Sequence, residues 1–138
     1  MNLDLLRLDL IRDEGRKTKP YKDSVGVLTI GVGWNLEEHG LPDTMIEELL
    51  ERSIADAVMD LNRTLPWWTT KPEPIQRGMV NMVFNLGIGR FLKFEKTIAA
   101  LGVGDYETAA VEALDSRWAR QVGDRAHRIA VLFRSVAV

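Results

Sequence analysis

The sequence predicts a mainly helical α+β fold, in which a small N-terminal lobe with a β-hairpin is joined by one long helix to a helical C-terminal lobe. A β-branched run, Val27–Ile30, lies between turn residues in the first quarter of the chain, which is typical of a hairpin strand. After it, apolar residues recur at helical spacing. The longest such segment covers residues 43–62 and would measure roughly 30 Å as a helix, so it can connect two lobes.

We expect one domain over residues 1–138, because this length suits a single compact unit and no Gly/Ser-rich linker or internal repeat interrupts it. Within it, residues 12–42 would form the small β-containing lobe. Residues 1–11 and 63–138 would form the helical lobe, and residues 43–62 the connecting helix.

The first helix is predicted to begin after Asn2 as N-cap, to pack its leucines on a core, and to end at Glu14 with Gly15 as its stop. Residues 35–40 read as a loop. In the helical half, Pro74–Leu86 should be the most buried helix, and its Asn81 and Asn85 require hydrogen-bond partners. The final helix takes Asp124 as N-cap, and its predicted packed stripe is Ala126, Ile129, Ala130 and Phe133.

Three residues near the hairpin point to chemistry: Glu14, Asp23 and Thr29. Glu14 ends a helix, Asp23 ends a strand-like run, and Thr29 lies in the next run. A helix end and a hairpin brought together would aim the two carboxylates into one space. Two carboxyl groups across a gap are what glycoside hydrolysis needs, since one protonates the leaving oxygen and the other activates water or attacks the sugar.

In this region the chain resembles the active-site stretch of phage-type lysozymes, the T-even bacteriophage endolysin family. The matching motifs are Asp13-Glu14-Gly15, Tyr21-Lys22-Asp23 and Thr29-Ile30-Gly31-Val32-Gly33. The resemblance implies a lysozyme-like fold and a muramidase that cleaves the β-1,4 bond between N-acetylmuramic acid and N-acetylglucosamine with inversion. It implies that Glu14, Asp23 and Thr29 are the catalytic set.

The resemblance continues through the helical half, in the segments Asn81–Gly87, Phe94, Ala109–Val111, Ser116–Trp118 and Asp124–Ile129. By alignment it implies substrate contacts at Asn35, Phe84, Thr97 and Glu112, and an ion pair between Arg125 and Glu14. Phe84 fits a core position equally well. The chain departs from the family at Trp34, where a histidine is usual, and in the short stretch before Pro42, so we expect the small lobe to lack a third strand.

Composition narrows the function class. The chain has no cysteine and two histidines, which excludes thiolate chemistry and argues against a His-rich metal centre. Glycoside hydrolysis needs no cofactor. A net charge of −2 argues against a nucleic-acid partner. No membrane span and no signal peptide are recognisable. We expect a monomer that acts on peptidoglycan glycan strands and is held in the host cytoplasm until lysis.

Two features have alternative readings. The basic segment Arg16, Lys17, Lys19 and Lys22 is either a solvated turn or a positive field for the anionic stem peptides of peptidoglycan. Trp67 and Trp68 either stack on sugars or pack between two helices.

The functional alternatives are a lytic transglycosylase acting on the same bond, a non-catalytic peptidoglycan-binding module, and a structural protein. An endolysin and a tail-associated lysozyme domain would look alike in sequence. Anhydro products would identify the transglycosylase, and binding without cleavage would identify the binding module.

Overall fold

The computed structural model describes residues 1–136, and across them the chain forms nine α-helices, one 3-10 turn and one three-stranded sheet. The strands are β1 (Lys17–Lys22), β2 (Leu28–Gly31) and β3 (Trp34–Asn35). The helices are α1 (Leu3–Glu14), α2 (Leu36–His39), α3 (Asp43–Thr64), α4 (Glu73–Leu86), α5 (Ile88–Phe91), α6 (Glu95–Val103), α7 (Tyr106–Leu114), α8 (Arg117–Val122) and α9 (Asp124–Arg134). None of the helices in the described part of the chain is both long and apolar enough to cross a membrane.

Two compact units divide the chain: the first is Met1–Leu49, and the second begins at Leu50. The boundary falls inside α3. The predicted assignment of residues 1–11 to the helical lobe, and of residues 43–62 to a connector, stays a prediction.

The first unit contains an antiparallel sheet in the order β1-β2-β3. Tyr21 pairs with Thr29 and Lys22 with Leu28, so β1 and β2 form the predicted hairpin. The register shifts between Lys17 and Tyr21. Pro20 lies in that interval on an edge strand, where a residue without an N–H is tolerated.

The expected absence of a third strand is wrong, and so is the expected loop over residues 35–40. Ile30 pairs with Trp34 and Thr29 with Asn35, which makes β3. The short helix α2 follows at once, because the Asn35 side chain accepts a hydrogen bond from the Glu38 N–H at 3.0 Å and caps the helix. Two residues of strand and four of helix are too short to show a period in sequence.

Helix α1 begins and ends as predicted but does not pack as predicted. The Asn2 side chain accepts from the Leu5 N–H at 3.0 Å, and Gly15 ends the helix at φ +78° with its N–H bonded to the Ile11 carbonyl. None of its residues is buried, and Leu3 is 62% exposed. Thr29 is the one buried residue among residues 1–49, so the first unit has no apolar core.

The hydrophobic core lies in the second unit and is built by α4, α6, α7 and α9 with the end of α3. Helix α4 contributes Ile75, Met79, Met82 and Val83, and the predicted stripe of α9 is buried at every position. In α3, Ala57 and Leu61 are buried, while the apolar residues Ile46, Leu49, Leu50 and Ile54 are exposed.

Polar side chains and short turns connect the helices of the second unit. The 3-10 turn Pro66–Thr70 buries Trp68, whose Nε1 donates to Asn62 Oδ1 at 2.8 Å, and this agrees with the packed reading of that residue. Asp105 caps α7, and its hydrogen bonds from the Thr108 hydroxyl and N–H lower the pKa of that carboxyl.

The N-cap of the last helix lies one residue before the predicted position. Gly123, at φ +59°, ends α8 and precedes α9, so Asp124 is the first helical residue rather than the N-cap. Its negative charge still lies in the first turn, where the helix dipole favours it.

The packing of Gly78 against Phe133 allows a stability prediction. A Cβ added to Gly78 would lie 2.6 Å from Phe133 Cε1, whose ring is fully buried. We expect Gly78→Ala to lower the free energy of unfolding by about 1–3 kcal/mol through overpacking. Gly89→Ala, where no atom lies within 4 Å, is the matched control and should be near neutral. Urea denaturation of both variants measures this, and equal stabilities would contradict it.

Candidate active site

Glu14 is held at the end of α1 beside the turn between β2 and β3. It is the last residue of the helix, and Gly15 turns the chain away immediately after it. Its carboxylate lies against Gly33: a Cβ built on that glycine would be 2.9 Å from Glu14 Oε2. Glu14 is exposed, and no residue of the first unit donates a hydrogen bond to its carboxylate. Its position therefore depends on packing.

Asp23 closes the hairpin with one of its two carboxylate oxygens. Oδ1 accepts from the Val25 N–H at 3.0 Å and from the Val27 N–H at 2.8 Å, while the Asp23 N–H donates to the Val27 carbonyl at 2.9 Å. Within the first unit Oδ2 makes no hydrogen bond. One oxygen thus fixes the turn, and the other is available to a ligand or water.

Thr29 is buried next to this turn, with 4% of its surface exposed. Its hydroxyl donates to the Val27 carbonyl at 2.9 Å. Because a hydroxyl has one hydrogen, Thr29 Oγ1 can only accept from any further partner. The backbone N–H of Val27 therefore donates to Asp23, and the Val27 carbonyl accepts from both Asp23 and Thr29.

Asn35 faces Thr29 across the β2–β3 pair. Its Oδ1 is used in the cap of α2, which leaves the side-chain amide group as its free donor. Helix α2 also supports the hairpin, since Glu37 Oε1 accepts from the Leu28 N–H at 3.0 Å.

The basic segment consists of Arg16 and the strand β1 that follows it, rather than a turn. Arg16, Lys17, Lys19 and Lys22 are all exposed, and none of them forms an ion pair with a residue of the first unit. Lysines and a proline also protect an edge strand from pairing with other chains. The segment therefore has a structural explanation that needs no ligand.

The four remaining predicted residues lie in the second unit, in two separate depressions. Thr97, almost fully buried, and Glu112, half-buried, line a cleft of about 720 Å³ with Trp118. Phe84 and Arg125 line a groove of about 510 Å³. Phe84 is 44% exposed, so the alternative that it is a core residue is wrong.

Arg125 has a partner inside the second unit. Its Nε donates to Asn81 Oδ1 at 2.9 Å, and Asn85 Oδ1 likewise accepts from Trp118 Nε1 at 2.7 Å. Both asparagines thus have the structural partners that their helix requires. The implied ion pair between Arg125 and Glu14 stays a prediction.

Within the described residues, no group of three or more His, Cys, Asp or Glu side chains could hold a metal ion. The residues that sequence reasoning missed are Val27 and Gly33. Val27 acts through its backbone, which leaves no sequence signal. The signal for Gly33 was present in the Gly-Val-Gly segment, but the sequence gives no indication that its open side faces Glu14.

Comparison with known proteins defines the class. Residues 12–134 match the sequence model of the phage lysozyme family. The pre-baseplate central spike protein Gp5 of Enterobacteria phage T4 is 30% identical in an alignment of 151 positions that covers 89% of this chain but 26% of that relative. Two probable T4-type lysozymes of Dictyostelium discoideum are similar over most of their length: lysozyme 1 is 26% identical over 85% of this chain and 86% of its own, and lysozyme 2 is 24% identical over 89% of each.

The chain belongs to the phage lysozyme family. The predictions of this family, of the lysozyme-like α+β fold class and of a glycosidase of the lysozyme type are confirmed. The phage lysozyme family consists of muramidase-type peptidoglycan hydrolases. This chain spans about a quarter of the spike protein it matches.

The turn-holding role of Asp23 can be tested by substitution. Asparagine keeps an Oδ1 that accepts from Val25 and Val27, so Asp23→Asn should leave the free energy of unfolding within about 0.5 kcal/mol of the original. Asp23→Ala removes the acceptor and should lower it by about 1–2 kcal/mol. Urea titrations followed by circular dichroism measure both, and equal losses would show that Oδ1 does not hold the turn.

Proposed function

We propose that this chain hydrolyses the β-1,4 bond between N-acetylmuramic acid and N-acetylglucosamine in peptidoglycan, with inversion at the anomeric carbon. Glu14 is the general acid, Asp23 holds and deprotonates the attacking water, and Thr29 orients that water. The observation that carries the proposal is the hairpin geometry: Asp23 is fixed through one oxygen only, beside a buried Thr29 hydroxyl whose hydrogen is already donated.

That geometry suits a water nucleophile. Asp23 Oδ2 and Thr29 Oγ1 are both acceptors, so a water between them donates its two hydrogens to them and turns a lone pair outward. As this oxygen attacks the anomeric carbon, its proton passes to Asp23. The bond to the leaving sugar oxygen breaks, and Glu14 supplies the proton that the oxygen takes up.

The inverting course requires room for the water. Carboxyl groups about 6.5–9.5 Å apart accommodate it, whereas about 5 Å indicates a covalent nucleophile. Inversion at a β-linked sugar releases the α-anomer first, so proton NMR of freshly formed products distinguishes the two courses.

The substrate contacts belong to the same proposal. Asn35, Phe84, Thr97 and Glu112 would bind the glycan strand, and the Arg125–Glu14 ion pair would support the acid. The cleft that contains Thr97 and Glu112 supports this, because both polar or charged side chains and aromatic side chains line it. No cofactor enters the mechanism, and the partner is the glycan strand alone.

For the biological setting we propose an endolysin that is released from the host cytoplasm at lysis and acts as a monomer. The similarity to a phage spike protein favours a second setting, a lysozyme domain of a phage particle. Lysis from within by the expressed chain, together with a membrane-pore protein, supports the first setting. Recovery of the chain in purified particles supports the second.

Replacement of the acid tests the reaction. Glu14→Gln keeps the size of the side chain but cannot supply the proton, and should reduce peptidoglycan cleavage by at least about 10²-fold. Mass spectrometry of the soluble products should show reducing muropeptides from the original protein. Anhydro products would instead indicate a lytic transglycosylase, and tight binding without cleavage a recognition module.

Thr29 gives a second test with a matched pair of substitutions. Thr29→Ser keeps the hydroxyl and should keep most of the turnover, whereas the isosteric Thr29→Val should lower kcat by about tenfold or more because the water loses an acceptor. The Val27 carbonyl retains its bond from Asp23, so Thr29→Val should remain folded. Initial rates on soluble glycan strands measure the difference, and full turnover by Thr29→Val would refute the water-orienting role.

A further inference from the structure

We propose that Gly33 is a positioning residue for Glu14: because it has no Cβ, it leaves the space that the Glu14 carboxylate occupies beside the hairpin. The catalytic consequence of this inference rests on the proposed function. The contact itself is a property of the first unit and can be tested without any substrate.

The contact extends along the Glu14 side chain. A Cβ built on Gly33 would lie 2.9 Å from Oε2, 3.1 Å from Cδ and 3.3 Å from Cγ of Glu14. Carbon atoms that are not bonded to each other are most stable at about 3.5–4.0 Å. Three consecutive atoms of the side chain therefore pass over Gly33 at a distance that only glycine permits.

This packing matters because little else in the first unit holds the carboxylate. Glu14 is exposed and receives no hydrogen bond there. A glutamate side chain can rotate away from a new methyl group at small cost, so a Cβ at position 33 would displace the carboxylate rather than unfold the unit. Misplacement of a catalytic group by about 1 Å can lower the rate on the order of 10²-fold.

Gly31 is a natural control in the same segment. Its φ is +68° and that of Gly33 is +69°, so an L-residue is strained to a similar degree at either position. A Cβ on Gly31 meets no atom within 4 Å. Both glycines have a positive φ, but only Gly33 also lies in contact with Glu14.

The experiment compares Gly33→Ala with Gly31→Ala. Both should lose thermal stability to a similar extent, because both force alanine to a positive φ. Gly33→Ala alone should lower kcat on soluble, uncross-linked glycan strands, on the order of 10²-fold below Gly31→Ala, with KM little changed. In carbon NMR, the carboxyl resonance of Glu14, assigned with Glu14→Gln, should move in Gly33→Ala and stay in Gly31→Ala.

A second pair of substitutions keeps the inference testable if the alanine variants fold poorly. Asparagine tolerates positive φ better than alanine and still carries a Cβ, so Gly33→Asn and Gly31→Asn should reproduce the contrast. Equal losses of kcat at both positions, or an unmoved Glu14 resonance in the Gly33 variants, would overturn the inference. So would a moved resonance with undiminished kcat.

The same data separate this inference from the proposed function. If the original protein cleaves no peptidoglycan, the proposed function fails. A Glu14 resonance that then moves only in the Gly33 variants would still support the positioning contact.

Discussion

The backbone of Val27 is the point on which the rest of the candidate site depends. Its N–H donates to Asp23 Oδ1, and its carbonyl accepts from the Asp23 N–H and from the Thr29 hydroxyl. These bonds fix one carboxylate and one hydroxyl side by side through backbone atoms that every residue except proline provides. Glu14 joins this rigid hairpin in a different way, by close packing against Gly33. The site thus combines a hydrogen-bonded part with a part held only by shape.

Local sequence patterns predicted most of those parts of the fold that could be predicted from sequence. The cap at Asn2, the stop at Gly15 and the hairpin strands were predictable because caps, glycines and β-branched runs act on their own neighbours. Strand β3 and helix α2 were not, since β3 has two residues that are defined only by pairing with Thr29 and Ile30. An element that short has no period of its own.

The sequence predicted that certain residues need partners or lie on an apolar face, but it did not predict which residues contact them. The sequence indicated that Asn81 and Asn85 require partners, but those partners, Arg125 and Trp118, lie 44 and 33 residues away. The leucines of α1 carry the spacing of a packed helix and yet are not buried, because periodicity shows which face is apolar and not what covers it. For the candidate site, the sequence predicted which side chains to examine, while the backbone contacts that position them required coordinates.

The proposed mechanism gives the two oxygens of Asp23 different tasks, which restricts the amino acids that position 23 can accept. Asparagine offers the short acceptor that the turn needs but no basic oxygen. Glutamate offers a carboxylate, but its extra methylene carries the oxygens beyond the N–H groups two and four residues ahead. Serine and threonine are short enough, yet they cannot take up a proton from water near neutral pH. Aspartate is short enough for the turn and has a second, basic oxygen, so the turn and the proposed chemistry place their demands on two oxygens of the same side chain.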